Sequence, residues 1–254
     1  MKLEVMLSVM NLNKKDLNKM NISTKCTVIN QCKKNCFEKY KNFNIYSYNE
    51  LGAANSRNRG LEHITEDIIL ICDDDVVYEK DYEEKVIKEF SNHPDADMII
   101  FNFINPFRSK RINKKSKRLH FYNSLNYAAY NIAFKKNSRG NITMNTLFGP
   151  GATYKSGGDD TLFIVDFLKN RLKIYSSDKV IGRITSNDST WFKGYNKEFF
   201  FNKGALFTAI SKRYRKFLMI QFLIRHKNVL TDYKFADAYK IMKQGSLDYI
   251  KRSN

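Results

Sequence analysis

The sequence predicts an α/β fold, a mainly parallel sheet flanked by helices, followed by a basic helical extension at the C-terminal end. Three observations carry that expectation. Short, uninterrupted apolar runs alternate with segments of helical spacing through the first 103 residues, a pattern that belongs to strands buried on both faces of a sheet. One of these runs stops abruptly at Asp73, Asp74 and Asp75, and in open sheets of this kind ligands bind at the carboxyl ends of strands. From Lys203 onward the pattern is helical, with cations along one face.

Taken in order, residues 3–10 (LEVMLSVM) read as a buried first strand, and residues 16–20 as the beginning of a helix. Residues 26–30 (CTVIN) and 45–48 read as the second and third strands. Residues 53–64 have Ala54, Leu61 and Ile64 at helical spacing. Residues 68–72 (IILIC) form a strand, 82–90 an amphipathic helix and 98–103 another buried strand. Residues 105–140 break the pattern: Pro106, a run of Lys and Arg from Arg108 to Arg118 and several Asn predict a mobile loop or insertion. Gly149, Pro150, Gly151, Gly157 and Gly158 predict a further loop, residues 161–170 a helix opening after Asp159 and Asp160, and residues 179–184 a strand.

With 254 residues, 43% of them hydrophobic, the chain can bury one sizeable core. The net charge of +18 is unevenly placed. Residues 1–97 carry 14 Lys and Arg against 17 Asp and Glu, whereas residues 98–158 carry 11 basic residues and no acidic one. The basic remainder should seek something anionic: nucleic acid, a lipid surface or a diphosphate-linked substrate. No apolar run approaches the roughly 20 residues that span a bilayer, and the opening residues do not read as a secretory leader. Cys26, Cys32, Cys36 and Cys72 show neither disulfide-framework nor zinc-ligand spacing, so reduced thiols in a cytoplasmic protein are expected.

Three successive carboxylates at a strand end repel one another, and burial without partners would be costly. A divalent ion resolves the conflict, because Mg²⁺ and Mn²⁺ take a few protein oxygens and complete their shell with substrate phosphates. In an extended segment, alternation would point Asp73 and Asp75 to the same side. A solvated acidic turn capping the next helix is the plainer alternative. The segment LGAANSRNRGLEHITEDIILICDDDVVY resembles family-2 glycosyltransferases of the GT-A (Rossmann-like) fold, through Gly52, Ser56-Arg57-Asn58, Gly60 and the aspartates. Ser56 stands where that family usually has Ala. The resemblance implies that Asp73 and Asp74 touch a nucleotide-sugar donor and that Asp73 and Asp75 hold Mn²⁺ or Mg²⁺. It also implies that Arg57 neighbours the diphosphate, where a guanidinium makes physical sense as a two-pronged phosphate partner. Asn11, Asn30 and Gln31 would line the base pocket; as bare residues, Asn30 and Gln31 are equally good turn formers.

Members of that family carry a second acidic pair just before a helix, one carboxylate of which takes the proton from the acceptor hydroxyl. Asp159 and Asp160 match it, with Asp160 favoured, although Asp is also a common helix N-cap. The usual later histidine ligand is missing; Asp188, which follows the strand, could replace it, but a solvated surface position is the plainer reading and the third ligand is unassigned. Trp191 is either an acceptor-stacking ring or core. The resemblance thus implies an inverting transferase, with a UDP-sugar as the commoner donor and a glycan or lipid-diphosphate-linked acceptor. The expected organisation is a transferase domain over residues 1–202, nucleotide-sugar-binding to 103 and acceptor-binding from 104, then a basic tail over 203–254. That tail (SKRYRKFLMIQFLIRHK) suits an anionic membrane surface at the inner face of the cell membrane or packing on the domain. Nucleic acid is not expected. A nucleotidyl transferase using Gly157-Gly158-Asp159-Asp160, or an inactive membrane scaffold, are the alternative readings.

Overall fold

A computed structural model describes residues 1–107, 113–186 and 194–253. In chain order the elements are β1 (Leu3–Met10), α1 (Lys14–Leu17), β2 (Lys25–Gln31), β3 (Cys36–Tyr40), β4 (Phe43–Tyr48), α2 (Ala53–His63), β5 (Ile68–Asp73) and β6 (Val76–Tyr78). There follow α3 (Tyr82–Asn92), β7 (Met98–Ile104), β8 (Lys117–Leu119), β9 (Ile132–Lys135), α4 (Lys136–Arg139), α5 (Asp159–Lys169) and β10 (Ile174–Ile184). Three helices close the chain: α6 (Lys197–Ile210), α7 (Arg215–Arg225) and α8 (Phe235–Arg252).

The strands form one sheet in the order β3-β4-β2-β1-β5-β9-β7-β10-β6, with β8 also on β10. β4, β2, β1 and β5 are mutually parallel, and β7 is parallel to β10. Alternation along β1 explains why both faces need covering. Val5, Leu7 and Val9 pack with Leu17 of α1 and with Val86 and Phe90 of α3, while Met6 packs with Leu61 of α2 and Phe163 and Phe167 of α5. The register Met10↔Gln31 and Ser8↔Asp73 brings the carboxyl ends of β1, β2 and β5 to one rim.

Within residues 105–140, where Pro106 and the charge run suggest a mobile loop or insertion, the described residues include the strands β8 and β9. Ile132, Ala133 and Phe134 are fully buried in β9, which enters antiparallel between β5 and β7. Three apolar residues are too short a run to announce a strand; the two flanking strands supply its backbone partners. β3 escaped sequence reading for the opposite reason, being an exposed edge strand without an apolar face.

The boundary expected after residue 202 falls inside α6. α6, α7 and α8 build a third apolar cluster together with Phe148, Tyr154, Leu162 and Val165. α6 and α8 cross at backbone contact: a Cβ on Gly204 would lie 1.8 Å from the Met242 carbonyl oxygen, and one on Gly245 1.9 Å from that of Phe201. Thr208 Oγ1 donates to Ser246 Oγ at 2.8 Å in the same crossing. α8 also reaches back to the glycine-rich loop, where the Tyr154 hydroxyl donates to Asp248 at 2.8 Å. Among the described residues no helix is long and apolar enough to cross a membrane.

Candidate active site

The aspartate triplet straddles a turn. β5 ends at Asp73, Asp74 and Asp75 form the turn, and β6 starts at Val76. The alternation expected to align Asp73 with Asp75 therefore does not apply, because the chain is not extended there. Thr185, just past β10, fastens the turn by donating its backbone N–H and its hydroxyl to the Asp75 carbonyl at 2.8 and 2.9 Å. Partial desolvation of the Asp74 carboxyl, reinforced by the charge of Asp73, pushes its pKa above the ordinary aspartate value.

Each residue of the α2 motif has a definite task. Gly52, at φ 114°, caps the helix, and a Cβ on Gly151 would meet its Cα at 2.9 Å, so two glycines let the 149–158 loop touch the start of α2. The Ala53 N–H donates to the Pro150 carbonyl at 3.0 Å across the same contact. Ser56 is partnered by Ser8 of β1, whose hydroxyl donates to it at 2.6 Å. Asn58 makes a two-way amide clamp on the backbone of Met144, at 2.8 and 2.9 Å.

Arg57 is buried and donates through one terminal nitrogen to Asp73 at 2.7 Å and through the other to Asp159 at 2.6 Å. Burial works against its charge, but the two carboxylates more than offset that and hold the guanidinium protonated. One N–H of each terminal nitrogen is taken by a carboxylate, while the buried Nε has no partner among the described residues. Arg57 links the two acidic clusters.

The second acidic pair divides into unlike halves. Asp159, the first residue of α5, is buried. Burial raises its pKa and Arg57 opposes the rise. The loop lies so close over it that a Cβ on Gly149 would sit 2.8 Å from its carboxylate. Asp160 is only half-buried and accepts from the Thr161 N–H at 2.6 Å. It opens a helix and not a β-hairpin, which removes the basis for a nucleotidyl-transferase reading of Gly157-Gly158-Asp159-Asp160. Lys203 of α6 lies near it: desolvation lowers the lysine pKa, and the charge of Asp160 counteracts the fall. Sequence reading missed Lys203 and Ser8, since nothing in the local pattern ties either to an acidic pair or a helix dozens of residues away.

On the opposite side of the rim, Asn11 takes a left-handed backbone (φ 49°) and its N–H donates to the Gln31 carbonyl at 3.0 Å. Asn30 holds the loop: its Oδ1 accepts from the Leu12 N–H at 2.9 Å and its Nδ2 donates to Ser47 at 3.1 Å. Gln31 is different, because its buried Oε1 has no hydrogen-bond partner among the described residues. A buried acceptor without a partner leaves room for a donor from a water or a ligand.

Among the described residues no three His, Cys, Asp or Glu side chains converge to enclose a metal ion. The donor set on offer is the hard carboxylate oxygens of Asp73 and Asp75, which suits Mg²⁺ or Mn²⁺ completed by phosphate and water and is too sparse for an all-protein cage. Asp188 and Trp191 lie outside the described residues.

The acidic side chains at the carboxyl rim of this parallel-stranded α/β sheet, joined through an arginine to a second acidic pair, stand where open α/β sheets bind their ligands. The model of the family described as Glycosyl transferase family 2 matches residues 28–157, and the chain belongs to that family. The match ends just short of Asp159 and Asp160. Among solved structures, S. aureus TarS 1-349 in complex with UDP-GlcNAc superposes with a TM-score of 0.64 at 14% identity, covering 90% of this chain and 73% of that one. Mannosyltransferase PcManGT from Pyrobaculum calidifontis, in complex with GDP-Man and Mn²⁺, superposes with a TM-score of 0.57 at 11% identity, covering 100% of this chain and 88% of that one. Both share the fold. No curated protein sequence matches this chain.

Proposed function

We propose that the chain is an inverting, metal-dependent glycosyltransferase that moves a hexosyl or N-acetylhexosaminyl unit from a nucleotide-sugar, a UDP-sugar by preference, to a hydroxyl of a glycan or lipid-diphosphate-linked acceptor. Cytoplasmic work at the inner face of the cell membrane fits such an acceptor. The observation that carries the reading is the Asp73–Arg57–Asp159 bridge, which fixes Asp160 relative to the β5 rim. Asp160 is the member of its pair accessible to substrate. It takes the proton of the acceptor hydroxyl, whose oxygen attacks the anomeric carbon as the nucleoside diphosphate leaves from the opposite face. Arg57 positions both acidic clusters. Asp73 and Asp75 are the residues that would hold Mn²⁺ or Mg²⁺, which neutralises developing charge on the diphosphate. Asn11 and Gln31 line the base pocket, with the Gln31 Oε1 accepting from a base N–H, and Asp74 faces the donor.

A thermal-shift screen of nucleotide-sugars with and without Mn²⁺ tests the donor class. Stabilisation by one donor, deepened by Mn²⁺, is expected. Absence of any response to UDP- or GDP-sugars would remove the reading, and retention of anomeric configuration in the product would remove the inverting step.

A further inference from the structure

α7 has two apolar faces that point in opposite directions. Met219 and Leu223 are buried among α6 and α8, and on the same side the Phe222 ring lies 5.5 Å from Phe207 and 6.3 Å from Phe199. The other side presents Phe217, Ile220 and Ile224 to solvent, exposed by 62, 39 and 57%. At helical spacing these three fall in a single stripe about 60° wide. Tyr214, just before the helix, extends it and is 57% exposed, with the Arg213 guanidinium over its ring. Packing on the domain accounts for the inner face and, among the described residues, leaves the outer one without an occupant.

Charge complementarity identifies that occupant. From residue 199 to residue 231 the sequence holds no Asp or Glu, and Lys212, Arg213, Arg215, Lys216, Arg225 and Lys227 surround the stripe. A second copy docked face to face would bring these cations against one another. A nucleic acid would use the cations and leave two isoleucines unmatched. A helix of 11 residues is too short to span a bilayer but suits one lying in its surface, apolar stripe down and cations at the headgroups. We propose that the outer face of α7 docks the protein on an anionic phospholipid bilayer. The cation side of α6 adjoins the acidic pair, since Lys203 lies near Asp160 and Phe199, one turn earlier, touches α7 through Phe222. Docking thereby brings the acceptor half of the site to the membrane; this last step rests on the transferase reading, whereas membrane binding does not.

The test is flotation of the full chain with phosphatidylcholine vesicles, with and without phosphatidylglycerol. Binding is expected only with phosphatidylglycerol and should weaken with added salt. Removing Lys216 and Arg225 as K216Q and R225Q should lower it roughly fivefold for each cation. The triple variant Phe217→Ser, Ile220→Ser, Ile224→Ser should abolish flotation while keeping its Tm and its thermal response to nucleotide-sugar, because all three side chains are exposed. Wild-type protein that ignores phosphatidylglycerol vesicles, a triple variant that still floats, or a wild-type dimer that the triple variant converts to monomer would each overturn the proposal. Flotation without any donor response would instead sink the transferase reading and leave the membrane face standing.

Discussion

Arg57 donates to Asp159 at 2.6 Å across 102 residues of sequence, and to Asp73 at 2.7 Å with its other terminal nitrogen. One buried cation thus fixes the end of β5 to the start of α5, so the two acidic clusters cannot move independently. A buried ion pair adds little net stability over apolar residues of the same shape, but breaking one from a single side is expensive, since the survivor is left charged and dry.

Arg57→Ala should therefore destabilise by roughly 3–5 kcal/mol. Arg57→Lys tests the geometry, because a point charge on one nitrogen cannot span both carboxylates. It should keep the fold and lose turnover on the order of 100-fold through misplacement of Asp160. Denaturation curves and single-turnover rates, measured together, separate the two effects; wild-type turnover in the lysine variant would refute the clamp.

Asp160→Asn should cost about 10²- to 10⁴-fold in kcat with unchanged donor binding and Tm, since its side chain is only half-buried. Asp75→Ala should instead erase the Mn²⁺-dependent part of the thermal shift. Near-normal turnover in both variants would dispose of the assignment.

Lys203 supplies a pH test. A cation near a carboxylate favours its ionised form, so taking it away makes the carboxylate easier to protonate. Lys203→Met should move the acid limb of the kcat/KM profile to higher pH. An unmoved limb beside an altered Tm would mean that Lys203 serves packing alone.

Gln31→Met removes a buried oxygen that has no partner among the described residues, so Tm should hold or rise. If a base N–H is that partner, nucleotide affinity should fall about tenfold by calorimetry, near the upper end for one hydrogen bond. A lowered Tm with unaltered affinity would assign Gln31 to the scaffold.

Gly204→Val would drive a side chain into the Met242 carbonyl and prise α6 from α8. Overpacking of this kind costs about 1–3 kcal/mol and should appear as a loss of Tm, together with weakened Tyr154–Asp248 contact. A stable, active variant would mean that the crossing tolerates separation.

Where burial is dictated locally, the sequence was legible. β1 coincides with the apolar run at residues 3–10, and β5 and β7 each extend one residue past theirs. α2 and α3 follow their apolar spacing, with Leu61 and Phe90 buried as expected. β9 was illegible because three apolar residues are too short a run to mark a strand, and its backbone partners come only from β5 and β7. The carboxylate partners of Arg57 were illegible for a related reason: a guanidinium suits phosphate and carboxylate alike, and only the fold brings Asp73 and Asp159 to it.

By itself the sequence determined the α/β sheet, the rim where three aspartates end a strand, the motif that ties the chain to its family, and the concentration of positive charge beyond residue 97. These follow from periodicity and composition, which record how each residue meets its near neighbours. Tertiary structure decided which acid of the second pair is buried, which charges answer Arg57, and that α7 has an exposed apolar face. Those outcomes depend on segments a hundred residues apart arriving within hydrogen-bond distance, and no local pattern encodes where such a segment will land.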